Sequence, residues 1–210
     1  MMKKHLRIIV PLRFQPWILD YCTERFAGHL PHATLSVGFL LDSVHSTVSD
    51  YDQAFNAPWI LKSVQSAIRD GCDGVFIDVA FDTGLSAAKS LASIPIVGAL
   101  ESAIAYARTL CRRFAILAIN NEEVPVNHRL SREYGFADLL SSIETIDIPV
   151  MDLQRDHSYT LMQLIDAGKR ALSTGAQAIV LGCTAMSWAA QPLAEHLHVP
   201  VLDTNFIGLY

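Results

Sequence analysis

Short apolar runs alternate along the chain with longer segments in which apolar residues recur every three or four positions, the pattern of a parallel sheet joined by crossover helices. The runs at 7–10, 34–40, 74–79, 96–97, 114–119, 143–148, 178–181 and 201–202 are rich in Val, Ile and Leu, which suits strands covered on both faces. Helical period is clearest at 57–70. There Pro58 stands near the start, Ile60, Leu61, Val64, Ala67 and Ile68 form one apolar stripe, and Gly71 ends it. A second helix is predicted at 158–174, with Leu161, Leu164, Ile165, Ala171 and Leu172 on its buried side and Gly175 as the stop. The predicted class is α/β.

These two helix-to-strand units align with each other without a gap. GCDGVFIDVA at 71–80 lies against GAQAIVLGCT at 175–184, which sets Val79 opposite Cys183. Each unit continues into a similar strand entry, IPIVG at 94–98 and VPVLD at 199–203, one residue out of register, and RIIV at 7–10 resembles RFAI at 113–116. One such pair can match through composition alone; three pairs in the same order point to an internal duplication. The expectation is two pseudo-symmetric lobes, each a parallel sheet flanked by helices, with the active site in the cleft between them. The first lobe takes residues 1–98 plus 200–210 and the second takes 99–199.

Composition narrows the function. A chain of 210 residues with 51% hydrophobic content has ample apolar material for a core. The formal charge of -5, with no Lys or Arg block, argues against a nucleic-acid surface. The N-terminal apolar run stops at Pro11 and Arg13, too short for a signal segment or a membrane span, so a cytoplasmic protein is expected. Cys22, Cys72, Cys111 and Cys183 are widely spaced with no CxxC, so reduced thiols and no zinc site are expected. His196 and His198 are two apart, a spacing that points them apart on a helix, which leaves the expected metal set empty. No GxGxxG, P-loop or GxSxG occurs, and no cofactor is implied.

Residues at the C-terminal ends of parallel strands line the crevices where α/β proteins bind small ligands. Cys183 falls at such an end, after 178–181 and before a helix starting near Thr184 or Ala185. A helix N-terminus there would lower the thiol pKa and favour an anion. Gly182 permits close approach of backbone to a ligand, and Thr184 can cap the helix or donate to a substrate carboxylate. The alternative for Cys183 is a buried structural cysteine, and the local residues alone weigh the two equally.

The run VLGCTAM at 180–186 resembles the second-cysteine motif of the aspartate/glutamate/hydantoin racemase superfamily. YDQAFNAP at 51–58, IDVAFDTGL at 77–85 and PIVGALE at 95–101 resemble its hydantoin-racemase branch in order and spacing, so the likeness covers most of the chain. The resemblance implies two pseudo-symmetric α/β lobes and a cofactor-independent racemase or isomerase. Two cysteines of such an enzyme flank a carbon next to a carboxyl or carbonyl group, one removing its proton and the other returning one. The substrate class it implies is a small carboxylate, an amino acid or a hydantoin-like ring.

Here the first cysteine is replaced by Val79, which cannot carry a proton. One reading keeps acid/base chemistry on both sides by using a carboxylate. Strand alternation turns Asp78 away from the face used by Val79, so loop residue Asp82 is the better candidate beside Cys183. A second reading is a single-cysteine decarboxylase of the arylmalonate decarboxylase type, with Val79, Ala80 and Phe81 as its apolar half and Thr83 with backbone N–H groups binding the carboxylate. A third uses Cys183 as a nucleophile in an isomerase or lyase, or leaves a catalytically silent small-acid-binding protein.

The same strand-end logic places Asn120 and Asn121 against substrate, or else in a turn or helix cap before Glu122 and Glu123. Thr83 and Gly84 open the next helix and can offer an anion site, or Gly84 serves the turn alone. Glu101 matches a family glutamate and equally suits a helix N-terminus. Arg13 either clamps a substrate carboxylate or faces solvent. Trp59 and Trp188 lie on apolar helical patterns and are expected to pack. The sequence runs only a few residues past its last predicted strand, so a short or absent final helix is expected, with a homo-oligomer partner completing part of the cleft.

Overall fold

The computed structural model describes residues 3–26, 30–44 and 47–209; Tyr210 lies outside them. The chain divides into two compact units, Met1–Gly98 and Ala99–Tyr210. The first contains β1 (Lys4–Arg13), α1 (Pro16–Phe26), β2 (Ala33–Leu40), α2 (Asp50–Arg69), β3 (Gly74–Ile77), α3 (Leu85–Leu91) and β4 (Ile96–Gly98). Its parallel sheet has the order β2-β1-β3-β4. The core of this unit joins Ile9 and Ile77 of the central strands to Ile60, Val64 and Ala67 of α2, with Val79 and Leu85 beyond β3. Trp59 packs against this core, as its apolar setting predicts.

Helix α2 starts seven residues before the predicted boundary. Ser49 and Asp52 form a capping box, each side chain accepting from the other's backbone N–H, and this signal outweighs Pro58, which ends up inside the helix. Pro11 falls where the pairing of β1 with β2 shifts register between Val10 and Arg13, a place where a missing N–H does least harm to the ladder.

The second unit contains α4 (Ala99–Leu110), β5 (Phe114–Ala118), α5 (Glu123–Glu133), β6 (Leu140–Thr145), α6 (His157–Ser173), β7 (Ala178–Leu181), α7 (Ala190–Leu197), β8 (Val201–Leu202) and α8 (Thr204–Ile207). Its parallel sheet has the order β6-β5-β7-β8. Every residue of β5 and β7 is buried, which explains why both read as unbroken apolar runs. Strand β8 pairs with β7, so the segment from residue 200 onward groups with this unit and not with the first lobe, where it was expected.

The two sheets repeat one strand order, as the duplication predicts, and their registers refine the match. Gly74 of β3 pairs with Leu6, and Ala178 of β7 pairs with Phe114. Leu6 therefore corresponds to Phe114, two residues away from the match seen in the sequence; a slip of two leaves every side chain on its original face. Among the described residues no helix is long and apolar enough to cross a membrane, and no group of three or more His, Cys, Asp or Glu side chains is placed to hold a metal.

Candidate active site at the strand ends

Strand β7 delivers Gly182 and Cys183 to the C-terminal edge of the second sheet. The Gly182 N–H donates to Leu117 O at 2.8 Å, and a Cβ at this position would stand 2.7 Å from that oxygen and 3.0 Å from Ile116 Cγ2. Close passage of the neighbouring strand thus explains the glycine that the sequence reading had assigned to ligand approach. Cys183 is extended (φ -141°, ψ 129°), stands at the N-cap of a 3-10 turn at Thr184–Ala189, and accepts the Met186 N–H at 3.0 Å. Its thiol is reduced and partly exposed. Elsewhere, burial, helped by the Asp78 charge, pushes Cys22 up to about 12, and burial also raises Cys72 and Cys111.

The turn after Cys183 is fastened twice. Ser187 Oγ donates to Asp203 Oδ1, and the same oxygen caps α8 by accepting from Asn205 N and Phe206 N. Gln154 Nε2 donates to Ala185 O at 2.9 Å, while His157 bonds Gln154 and stacks on Trp188. Trp188, expected to pack, therefore also carries a stacked ring.

In the first unit the corresponding stretch is a tight turn. Val79 N donates to Ile77 O, Asp82 N to Val79 O and Leu85 N to Asp82 O. Val79, Ala80, Phe81, Asp82 and Thr83 are all buried, and Gly84 takes a left-handed conformation (φ 74°) at the start of α3, the turn role foreseen for it. Asp82 also has positive φ (48°) and is 5% exposed. A Cβ added at Gly98 would lie 2.4 Å from Asp82 Oδ1, so this carboxylate rests on the backbone at the end of β4. The Thr83 hydroxyl is buried and has no hydrogen-bond partner.

The remaining expected residues serve structure first. Asn120 Oδ1 accepts the N–H groups of Glu122 and Glu123, the helix-cap alternative. Asn121 donates to Asp147, beyond β6, and accepts from Thr145 at the end of that strand. Arg13 pairs at the surface with Asp42, whose carboxyl it holds below the usual range. Glu101 lies in the first turn of α4. Thr184 opens the 3-10 turn and is half-buried.

Sequence reading missed several polar residues that organise these edges. Asn56, fully buried, donates to Pro11 O and accepts from Val44 N, tying the ends of β1 and β2 to α2. Glu123 is 1% exposed and accepts the Ile119 N–H at 2.9 Å; burial pushes its carboxyl up to about 8. A polar residue before an apolar helical run was the one local signal for these, and it does not distinguish a cap from a buried group.

Two parallel sheets of one strand order, with Cys183 just past the end of a central strand of one of them, define an α/β protein with a duplicated sheet. The chain belongs to the Asp/Glu/Hydantoin racemase family, whose model it matches over residues 19–209. It is 31% identical over 175 residues to a hydantoin racemase of Rhizobium meliloti, an alignment covering 82% of this chain and 72% of that protein. A hydantoin racemase of a Pseudomonas species is also 31% identical, over 165 residues, 78% of this chain and 66% of the relative. The allantoin racemase structure from Klebsiella pneumoniae superposes with a TM-score of 0.89 at 27% identity, covering 99% of this chain and 85% of that one.

Proposed function

We propose that the protein is a cofactor-independent racemase that moves a proton at a carbon next to a carbonyl or carboxyl group of a small cyclic or open-chain acid derivative, with Cys183 as the acid/base thiol. The observation that carries this is the placement of Cys183: a reduced, partly exposed thiol directly after a fully buried central strand, in the motif VLGCTAM. Membership of the racemase family supports the reaction class, and the hydantoin and allantoin racemase relatives support a ring with an acidic C–H between carbonyl and nitrogen as the substrate class.

Racemisation requires a proton carrier for each face of the carbon. The turn that follows β3 offers Asp82 for the second, and its burial against Gly98 favours a fastening role instead. A second reading, a single-thiol decarboxylase, is favoured by the buried apolar run Val79, Ala80 and Phe81 at that strand end.

Proton NMR in D2O over a panel of hydantoins, allantoin, amino acids and arylmalonates tests both. Loss of the α-proton signal together with optical rotation, abolished in Cys183→Ala, supports the racemase. Release of carbon dioxide with a single enantiomer as product supports the decarboxylase. Turnover undiminished in Cys183→Ala refutes the assignment of the thiol.

A further inference from the structure

The inner fastening of the Cys183 turn, Ser187 to Asp203, joins it to the end of β8. The outer fastening has no such architectural partner. Gln154, in the connection leading to α6, reaches Ala185 O at 2.9 Å from Nε2, and its Oε1 lies 2.8 Å from His157 Nε2. The His157 ring lies over the Trp188 indole, centroids 4.0 Å apart and planes within 12°. Donor chemistry orders this chain. A peptide carbonyl accepts only, so the Gln154 group facing Ala185 is the amide nitrogen; the group facing His157 is then the oxygen, and His157 Nε2 carries a hydrogen. His157 donates to Gln154 and Gln154 donates to Ala185. Both ends of the relay, Ala185 and Trp188, belong to the six-residue turn that Cys183 caps.

Gln154 and His157 are exposed, so core packing does not account for an ordered contact of three side chains and a carbonyl. We propose that His157 and Gln154 are positioning residues that hold the Cys183 turn in its reactive orientation from outside, gripping it two residues and five residues past the thiol. A 3-10 turn has strained hydrogen bonds and gains most from an external partner for its carbonyls. The catalytic consequence rests on the racemase reading above; the hold on the thiol does not. Loss of one net hydrogen bond shifts the balance between held and released turn roughly two- to tenfold, and small misplacement of a reacting atom falls on kcat more than on KM.

Three variants separate the parts. Gln154→Leu removes the relay, His157→Phe keeps a ring over Trp188 without the donor, and His157→Gln restores a donor without the imidazole. The native proteins are treated with iodoacetamide, and peptide mass spectrometry gives the labelling rate of Cys183 relative to Cys111 in the same molecule; kcat and KM are measured on whichever panel substrate turns over. The expected result is a Cys183 to Cys111 ratio lowered roughly two- to tenfold in Gln154→Leu and His157→Phe. A matching fall in kcat at constant KM and recovery to within about twofold in His157→Gln are expected with it. An unchanged or raised ratio in the first two variants overturns the proposal, as does faster labelling of Cys22, Cys72 and Cys111 together, the mark of general loosening. If the wild-type protein turns over nothing, the racemase reading fails while the labelling ratio still decides the role of the relay.

Discussion

Replacing Glu123 by Gln removes one ionisable group from a site 1% exposed while leaving the side chain's volume nearly unchanged. Glu123 Oε2 accepts the Ile119 N–H, which favours the charged form, but desolvation is larger and moves the carboxyl from 4.5 to about 8. Between those values the folded protein holds a proton that the unfolded chain has released. Stability from this site is therefore fully present below pH 4.5, is lost as pH rises toward 8, and stays lost above it. At about 1.4 kcal/mol per pH unit the loss from pH 5 to 8 comes to roughly 3–4 kcal/mol, an upper value because the surroundings relax around a new charge. Gln cannot ionise, and its spare N–H group adds only a pH-independent offset of about 1–3 kcal/mol.

The assay is urea unfolding followed by far-UV circular dichroism at pH 5, 6, 7 and 8 for both proteins. Subtracting one stability curve from the other cancels the remaining ionisable groups, so the slope of the difference isolates Glu123. The variant should gain on the wild type steadily, by an amount approaching 3–4 kcal/mol across the range. Parallel curves would refute the reasoning, because they would mean that Glu123 is already ionised in the folded protein.

Two further substitutions probe the strand ends. Gly182→Ala sets a Cβ 2.7 Å from the Leu117 carbonyl, a backbone neighbour that cannot swing away, so a loss of about 1–3 kcal/mol in urea unfolding is expected, with reduced turnover from displaced Cys183. Val79→Cys supplies a thiol at the position that the internal repeat sets opposite Cys183; racemisation followed by polarimetry should rise at least about tenfold, and an unchanged rate would show that position 79 is not where a second proton carrier is missing.

The parts of the fold legible in the sequence are those whose neighbours make them uniformly apolar. β7 was bounded correctly, and β5 to within one residue, because a strand covered on both faces leaves no polar position to blur its limits. β6 was displaced three residues, to 143–148. As an edge strand, half-buried along its length, it reads LSSIET, whereas the more apolar Ile146 and Ile148 follow it and merely donate to the ends of the β5 region. In the site, Cys183 could be found because its signal is local: a glycine, a cysteine and a strand end in sequence. The contacts of Arg13 with Asp42, Gln154 with Ala185 and Ser187 with Asp203 cross 29, 31 and 16 residues, and no local pattern announces them.

The registers also explain what Asp82 does. Ile77 pairs with Gly98, and continuing the pairing of Ile179 with Val201 and Val180 with Leu202 sets Asp203 in the place of Gly98. In the second unit the acid stands at the end of the outer strand and accepts a hydrogen bond from the Ser187 hydroxyl on the turn; in the first, the acid stands on the turn and the outer strand offers a glycine bare enough to receive it. In both units the turn meets the strand beside it, through the Ser187–Asp203 hydrogen bond in the second and by the close lie of Asp82 against Gly98 in the first. Asp82 thus lies against the strand position that Asp203 fills in the second unit. Valine at 79 stands against cysteine at 183, and the neighbouring positions of the two turns differ as well, Ala80 against Thr184 and Phe81 against Ala185. Val79→Cys therefore tests whether a thiol at this strand end adds a proton carrier, and it leaves the acid of each turn in place.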